Sequence, residues 1–269
     1  MSFCFGKRKM YRGVLEISTF FINRGHIMKI LSIGNSFSDD AQRYLSDIAK
    51  CDGEDLYTLN LYIPGCSLET HAKNIDEKGE VYRFNENGIF SEREVSIEYG
   101  IDYQDWDIVT IQQVSNKSFD RDSYYPYIYK VAEFARKHAP RAKILIHQTW
   151  AYEDNSEYIM NAFGDPSMAK MFSEIKVAYE RAAREIGADA IIPSGELMMK
   201  LVESGIKKVH RDTFHADLGV GRYALGLLWY HVLTGKSVLD NSFADFDEPV
   251  SDEYVNIVKK CVESFEKVI

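Results

Sequence analysis

The stretch whose reading decides the fold is Met28–Ala49, MKILSIGNSFSDDAQRYLSDIA. The apolar run KILSIG (29–34) reads as a buried strand. It passes through Asn35-Ser36 into DDAQRYLSDIAKC (39–51), where Ala41, Tyr44, Leu45 and Ile48 share one face at helical spacing. Ser36 stands at the junction and has two readings. A serine there can cap the first helical turn. It can also be a nucleophile presented where open α/β sheets gather their ligands, at the carboxyl end of a strand.

Outward from this unit the same rhythm repeats. LYTLNLYI (56–63), ended by Pro64-Gly65, reads as a second strand, DIVTIQQV (107–114) as a third, AKILIHQTW (142–150) as a fourth and ADAIIP (188–193) as a fifth. Helical patterns cover 124–138, 166–186, 194–204 and 217–233. Strands separated by helices predict right-handed crossovers and a parallel sheet covered on both faces. One stretch departs: VYRFNENGIFSEREVSIEYG (81–100) alternates on both sides of Asn87-Gly88, which predicts a β-hairpin inserted between the second and third strands. With no repeat, low-complexity tract or flexible linker, the expectation is a single α/β domain over 28–269. Its architecture is a three-layer α/β/α sandwich with a central, mainly parallel five-stranded sheet, flavodoxin-like in winding, plus the hairpin.

Composition excludes several classes. Lys plus Arg number 32 and Asp plus Glu 41, for a net charge of −9. Such a surface repels nucleic acid and anionic lipid, and favours a small or polar uncharged substrate. No run reaches the ~20 apolar residues of a membrane-spanning helix, so no membrane insertion is expected. Cys4, Cys51, Cys66 and Cys261 form no CxxC pair and no zinc-ligand spacing, which speaks against a structural zinc site or a disulfide scaffold, and no metal or organic cofactor is implied. Residues 1–27 join a basic KRK to an apolar stretch broken by Glu16, Ser18 and Thr19 without a clean cleavage site. They read as an N-terminal extension or degenerate leader, which favours a cytoplasmic over a periplasmic or secreted location.

The second informative stretch is HRDTFHADLGVGRYALGLLWYHVL (210–233). Asp212 and His215 stand three apart just before a helix. A carboxylate at that spacing either caps the helix or orients the histidine as a general base. A serine hydroxyl needs such a base, because it is a weak nucleophile at its free pKa. Ser36, His215 and Asp212 therefore make a candidate catalytic triad, without the G-x-S-x-G elbow of α/β-hydrolases.

These residues carry a resemblance. IGNSFS (33–38), Gly65 in PGCSLETH, and DTFHADLGVGRYALG (212–226) resemble the blocks of the SGNH hydrolases, also called GDSL-like lipases and esterases, which supply Ser, Gly, Asn and His in turn. Asn35 stands where many members have Asp. The third block aligns on DIVTIQQVSNK (107–117) and places Asn116 at the Asn, with Val114 for the usual Gly and Lys117 for the Asp, leaving Gln113 as a competing amide. TIQQVS together with HQTWAY (147–152) resembles a bacterial branch of these hydrolases known as a domain of unknown function.

The resemblance implies an oxyanion hole from the backbone N–H groups of Ser36 and Gly65 and the side chain of Asn116 or Gln113. It implies a serine esterase that removes small acyl groups, such as acetyl, from a small-molecule or carbohydrate ester. A non-catalytic glycan-binding module on the same scaffold is the alternative. A flavodoxin-like nucleotide binder fits less well, since GNSFSDD lacks a glycine-rich phosphate cradle. His147, Trp150 and Tyr152 are candidates to line the substrate pocket, or are packing residues. Asp39 and Asp40 read as first-turn helix charges, His71 as a helix cap, and Cys66 as a thiol with no partner visible in sequence.

Overall fold

A computed structural model describes residues 27–269, so the extension predicted at 1–27 lies, apart from Ile27, outside the described residues. The strands are β1 (Met28–Gly34), β2 (Leu56–Tyr62), β3 (Tyr82–Glu86), β4 (Ile89–Val95), β5 (Ile108–Ile111), β6 (Lys143–His147) and β7 (Ala190–Ile192). They form one sheet in the order β4-β3-β2-β1-β5-β6-β7. The five predicted strands β1, β2, β5, β6 and β7 are all mutually parallel.

The expectation of a five-stranded sheet is corrected to seven, because the hairpin joins it. β3 pairs antiparallel with β2, through Leu59 opposite Glu86 and Leu61 opposite Phe84, and β4 pairs with β3. The turn lies where Asn87-Gly88 predicted it, with both residues at positive φ, 48° and 77°. β3 thereby covers what would be an open edge of β2. The new edge, β4, exposes Glu92, Arg93 and Glu94, charges that discourage further strand pairing.

The helices are α1 (Ser36–Gln42), α2 (Leu45–Cys51), α3 (Leu68–Glu77), α4 (Ile97–Asp102), α5 (Tyr127–His138), α6 (Glu157–Phe163), α7 (Met168–Ile186), α8 (Ser194–Glu203), α9 (Val220–Thr234) and α10 (Asp252–Glu263). α3, α4, α5 and α7 pack as one layer; α1, α2, α8 and α10 gather round α9 in the other. α9 is apolar around nearly its whole circumference and is accordingly buried on every side but its ends. α7 shows how sequence sets the ends: the Ser167 side chain accepts from Lys170 N–H at the start, and Gly187 takes the left-handed conformation that closes the end.

Two helical expectations shift. The stretch 39–51 is two helices rather than one, α1 and α2, separated at Arg43-Tyr44; Tyr44 turns inward and its hydroxyl donates to Leu218 O and accepts from Asp247 N–H. The last predicted helix begins at Val220 because the Asp217 carboxylate accepts from Gly219 and Val220 N–H, ahead of the helix. No helix among the described residues is long and apolar enough to cross a membrane.

Candidate active site

In the order β2-β1-β5 the connections leave β1 in opposite directions, which opens a crevice at the carboxyl ends of these strands. Ser36 follows β1, Pro64-Gly65 follows β2, and Val114–Asn116 follow β5. All of them line one cavity of about 310 Å³, together with Phe37, Tyr62, Tyr158, Phe214 and His215.

Ser36 is not the helix cap. Asn35 is extended and its side-chain oxygen accepts from Phe37 N–H (3.0 Å), the bond that caps α1. That leaves Ser36 as the first helical residue with its hydroxyl unengaged by the backbone. Gly34 ahead of it must be a glycine: a Cβ there would stand 2.2 Å from Ser38 Oγ.

The base arrives on the loop between α8 and α9. His215 Nε2 lies 2.8 Å from Ser36 Oγ, and His215 Nδ1 lies 2.8 Å from Asp212 Oδ2. With Nδ1–H donated to the carboxylate, Nε2 remains as acceptor for the serine hydroxyl. Asp212 also accepts from the His215 backbone N–H at 2.9 Å, so both its oxygens hold the histidine. Partial burial pushes the Asp212 carboxyl up, but the hydrogen bonds from the His215 ring and N–H, with the His215 and Arg211 charges, outweigh it and hold it below the usual carboxylate range. Asp212 is thus a carboxylate partner at neutral pH. The turn that makes this possible places Thr213 at φ 73°, a left-handed conformation costly for a β-branched residue, on the order of 1–2 kcal/mol. The Thr213 carbonyl is fixed by Glu153 N–H at 2.8 Å.

The loop is bolted to the nucleophile's own helix. Asp40, fully buried, accepts from Arg211 Nη1 (2.8 Å), Arg222 Nε (2.9 Å) and Ala216 N–H (3.1 Å). It is therefore more than a first-turn helix charge. Its neighbour Asp39 is desolvated and lies beside Asp40, which together raise its carboxyl to about 6 despite Arg222 and Asn85.

The second block residue, Gly65, has φ 59°, a left-handed position that favours glycine. Of the two candidate amides the structure brings only Asn116 to the cavity; its side chain is exposed there and makes no hydrogen bond to the described residues. Gln113 is buried and fully used: its oxygen accepts from Leu68 and Val114 N–H, and its nitrogen donates to Ser123. It fastens the β5 loop to α3 rather than facing substrate.

His147, Trp150 and Tyr152 are not on the cavity wall. All three are fully buried. Trp150 stacks on Phe37 at 4.2 Å and donates to Phe214 O (2.8 Å), and Tyr152 donates to Ser115 Oγ (2.9 Å). His147 bonds Gln112 Oε1 (2.6 Å) and is pushed down to about 3 by burial, so it stays neutral. These residues support the site from beneath. The aromatic rings that do line it, Phe37, Tyr62, Tyr158 and Phe214, were missed by sequence reading. Only Phe37, next to Ser36, and Phe214, next to His215, had a visible signal.

Cys66 has a partner after all: His71 Nδ1 lies 3.5 Å from its sulfur and 2.9 Å from Tyr82 Oη. Burial pushes the thiol up to about 12 and the imidazole down to about 3, which makes the pair structural rather than nucleophilic. The one cluster of three potential metal ligands among the described residues is Glu98, Asp102 and His138. It lies on α4 and the end of α5, off the cavity, with Glu98 paired to Lys78 at 3.0 Å and His138 to Asp102 at 2.9 Å.

Comparison with known proteins gives the family and the fold of the chain. A family model described as a domain of unknown function, DUF4886, matches residues 29–264. The crystal structure of a DUF4886 family protein from Bacteroides uniformis is 30% identical, covers 88% of this chain and 94% of its own, and superposes with a TM-score of 0.81. A protein proposed to be an SGNH hydrolase, from Slackia heliotrinireducens, is 19% identical over 75% of this chain and 96% of its own, with a TM-score of 0.55. A proposed GDSL-like lipase from Parabacteroides merdae is 12% identical over 75% and 93%, with a TM-score of 0.50. The last two show a shared fold. No curated protein sequence matches the chain.

Proposed function

The chain belongs to the DUF4886 family, on an SGNH-type fold, and from that premise we propose that it is a serine ester hydrolase that removes small acyl groups from a small-molecule or carbohydrate ester. The observation that carries this reading is His215, which bridges Ser36 Oγ and Asp212 at 2.8 Å on each side.

In this mechanism Ser36 Oγ attacks the ester carbonyl carbon as His215 Nε2 takes the hydroxyl proton. The carbonyl π pair moves onto oxygen, and the Asp212 carboxylate stabilises the imidazolium. Ser36 N–H, Gly65 N–H and the Asn116 amide are the donors for the oxyanion; Ser36 N–H is in the first helical turn, where no intrahelical acceptor exists. Each such donor contributes about 3 kcal/mol to the barrier reduction. The tetrahedral intermediate collapses, the bond to the alcohol oxygen breaks, and His215 returns its proton to that oxygen. Water, deprotonated by the same histidine, then adds to the acyl carbon, the bond to Ser36 Oγ breaks, and His215 returns the proton to Oγ as the acid leaves. None of these steps calls for a metal or organic cofactor.

The test is hydrolysis of 4-nitrophenyl acetate by the wild type and by Ser36→Ala, with circular dichroism on both and fluorophosphonate labelling of Ser36. Turnover and labelling that vanish in a folded Ser36→Ala variant are the expected result. A folded wild type that neither labels nor turns over would move the chain to a binding role on the same scaffold.

A further inference from the structure

Resting on the hydrolase reading, a further question is what kind of alcohol the ester carries. The mechanism orients it. His215 Nε2 must come within hydrogen-bond reach of the departing oxygen, so the alcohol leaves on the His215 side, while the oxyanion points to Gly65 and Asn116.

On that side stands a row of rings. The His215 and Phe214 centroids are 4.0 Å apart, and Phe214 and Tyr158 are stacked at 4.5 Å with only 14° between their planes. All three line the cavity. The row is fixed from below, since the Phe214 carbonyl accepts from buried Trp150 and its ring meets the edge of buried Tyr152. It ends in solvent: Tyr158 is 40% exposed. α6, which carries Tyr158, buries only Ile159. Tyr158 is therefore held chiefly by its ring contacts to Phe214 and Tyr152 (4.9 Å), beside the path of the departing group.

We infer that Tyr158 is a specificity-determining residue, and that the alcohol part of the substrate carries a ring whose flat apolar face packs against the ring edges of the Phe214–Tyr158 stack, whose own faces are turned to each other. A pyranose and an aryl ring share that chemistry. An open-chain alkyl group offers no such face and gains less from aromatic packing.

The test compares kcat/KM for three acetates of primary alcohols: methyl 6-O-acetylglucopyranoside, benzyl acetate and n-butyl acetate. Leaving-group acidity is similar across them, so the ratio of a ring ester to the butyl ester reads the ring contact. In the wild type this ratio is expected at about tenfold for at least one ring ester, and the larger of the two names the ring as sugar or aryl. Tyr158→Ala is expected to bring the ratio to between one and two, and Tyr158→Phe to restore most of it. An equal ratio in wild type and Tyr158→Ala, or no ring preference in the wild type, would overturn the inference. If Ser36 labels with fluorophosphonate but none of the acetates turns over, the inference falls while the nucleophile stands; absence of both label and turnover takes the hydrolase reading with it.

Discussion

Asn35 makes three hydrogen bonds with one amide. Its oxygen accepts from Phe37 N–H (3.0 Å) and Gln112 Nε2 (2.6 Å), and its nitrogen donates to Cys66 O (3.1 Å). It thereby ties the nucleophile's helix to the turn that carries Gly65. An aspartate, found at this position in many SGNH hydrolases, accepts but cannot donate, and here it would set a carboxylate against the Cys66 carbonyl. Asn35→Asp is expected to lower kcat of ester hydrolysis at least tenfold, and Asn35→Ala to remove the cap as well, at about 1 kcal/mol of stability. Steady-state kinetics and denaturant melts check both; an Asn35→Asp variant with unchanged kcat would mean that the link between the two loops is dispensable. At this scale the sequence reading singled out Ser36, Asp212 and His215, which the structure brings within hydrogen-bond distance of one another, because their chemistry depends on residue type. It could not choose between Asn116 and Gln113, nor place Trp150 below the site, because past a strand end the direction of a side chain is decided by partners distant in sequence, such as Phe214 for Trp150 and Ser123 for Gln113.

At the scale of elements, α1 and the loop 210–217 form one unit through Asp40, whose bonds fall on Arg211 and Ala216, the residues that bracket Asp212–His215. Arg222 on α9 shares Asp40 Oδ1 and reaches Asp247 Oδ2 at 2.8 Å, and Arg43 holds the same carboxylate. Removing the buried charge takes from Arg211 and Arg222 the carboxylate they share, and breaking a buried pair costs about 3–5 kcal/mol. Asp40→Asn is expected to lose that much in urea unfolding and to lower kcat more than it raises KM, since what it loosens is the approach of His215 to Ser36. A loss below 1 kcal/mol would show that the network relaxes around the change. Periodicity revealed the strands and the hairpin turn, whose Asn-Gly signal is local. It did not reveal that β3 would pair with β2, which depends on contacts between 59–62 and 83–86. The short helices α3, α4, α6 and α10 went unread for a related reason: each presents one narrow buried stripe, and α6 only Ile159.

For the whole molecule, the architecture was legible because five apolar strands alternate with helices, whereas the histidines that tie its stability to pH were not. His71 and His147 are fully buried and pushed down to about 3, each with Nε2 lacking a partner among the described residues, and burial pushes His210 down to about 4. A histidine depressed in the folded state stabilises the protein above its unfolded pKa of about 6.5 and loses that contribution as pH falls toward the folded value. Each gives a limiting slope of about 1.4 kcal/mol per pH unit. Asp39 opposes them: raised to about 6, it binds its proton more tightly when folded and adds stability as pH falls from 6 to 4. The three losses outweigh the one gain, so stability falls between pH 6 and 4, against a whole-domain stability of only about 5–15 kcal/mol. The protein is therefore expected to unfold cooperatively between pH 6 and 4, a transition that begins above the range where most carboxylates titrate. Trp106, Trp150 and Trp229 are all buried, so their fluorescence reports the transition. His71→Gln, which removes one ionising group from the folded interior, is expected to move the midpoint to lower pH. A wild type that keeps its native fluorescence and far-ultraviolet signal at pH 4 would show that these imidazoles find solvent or counter-charge in the folded state.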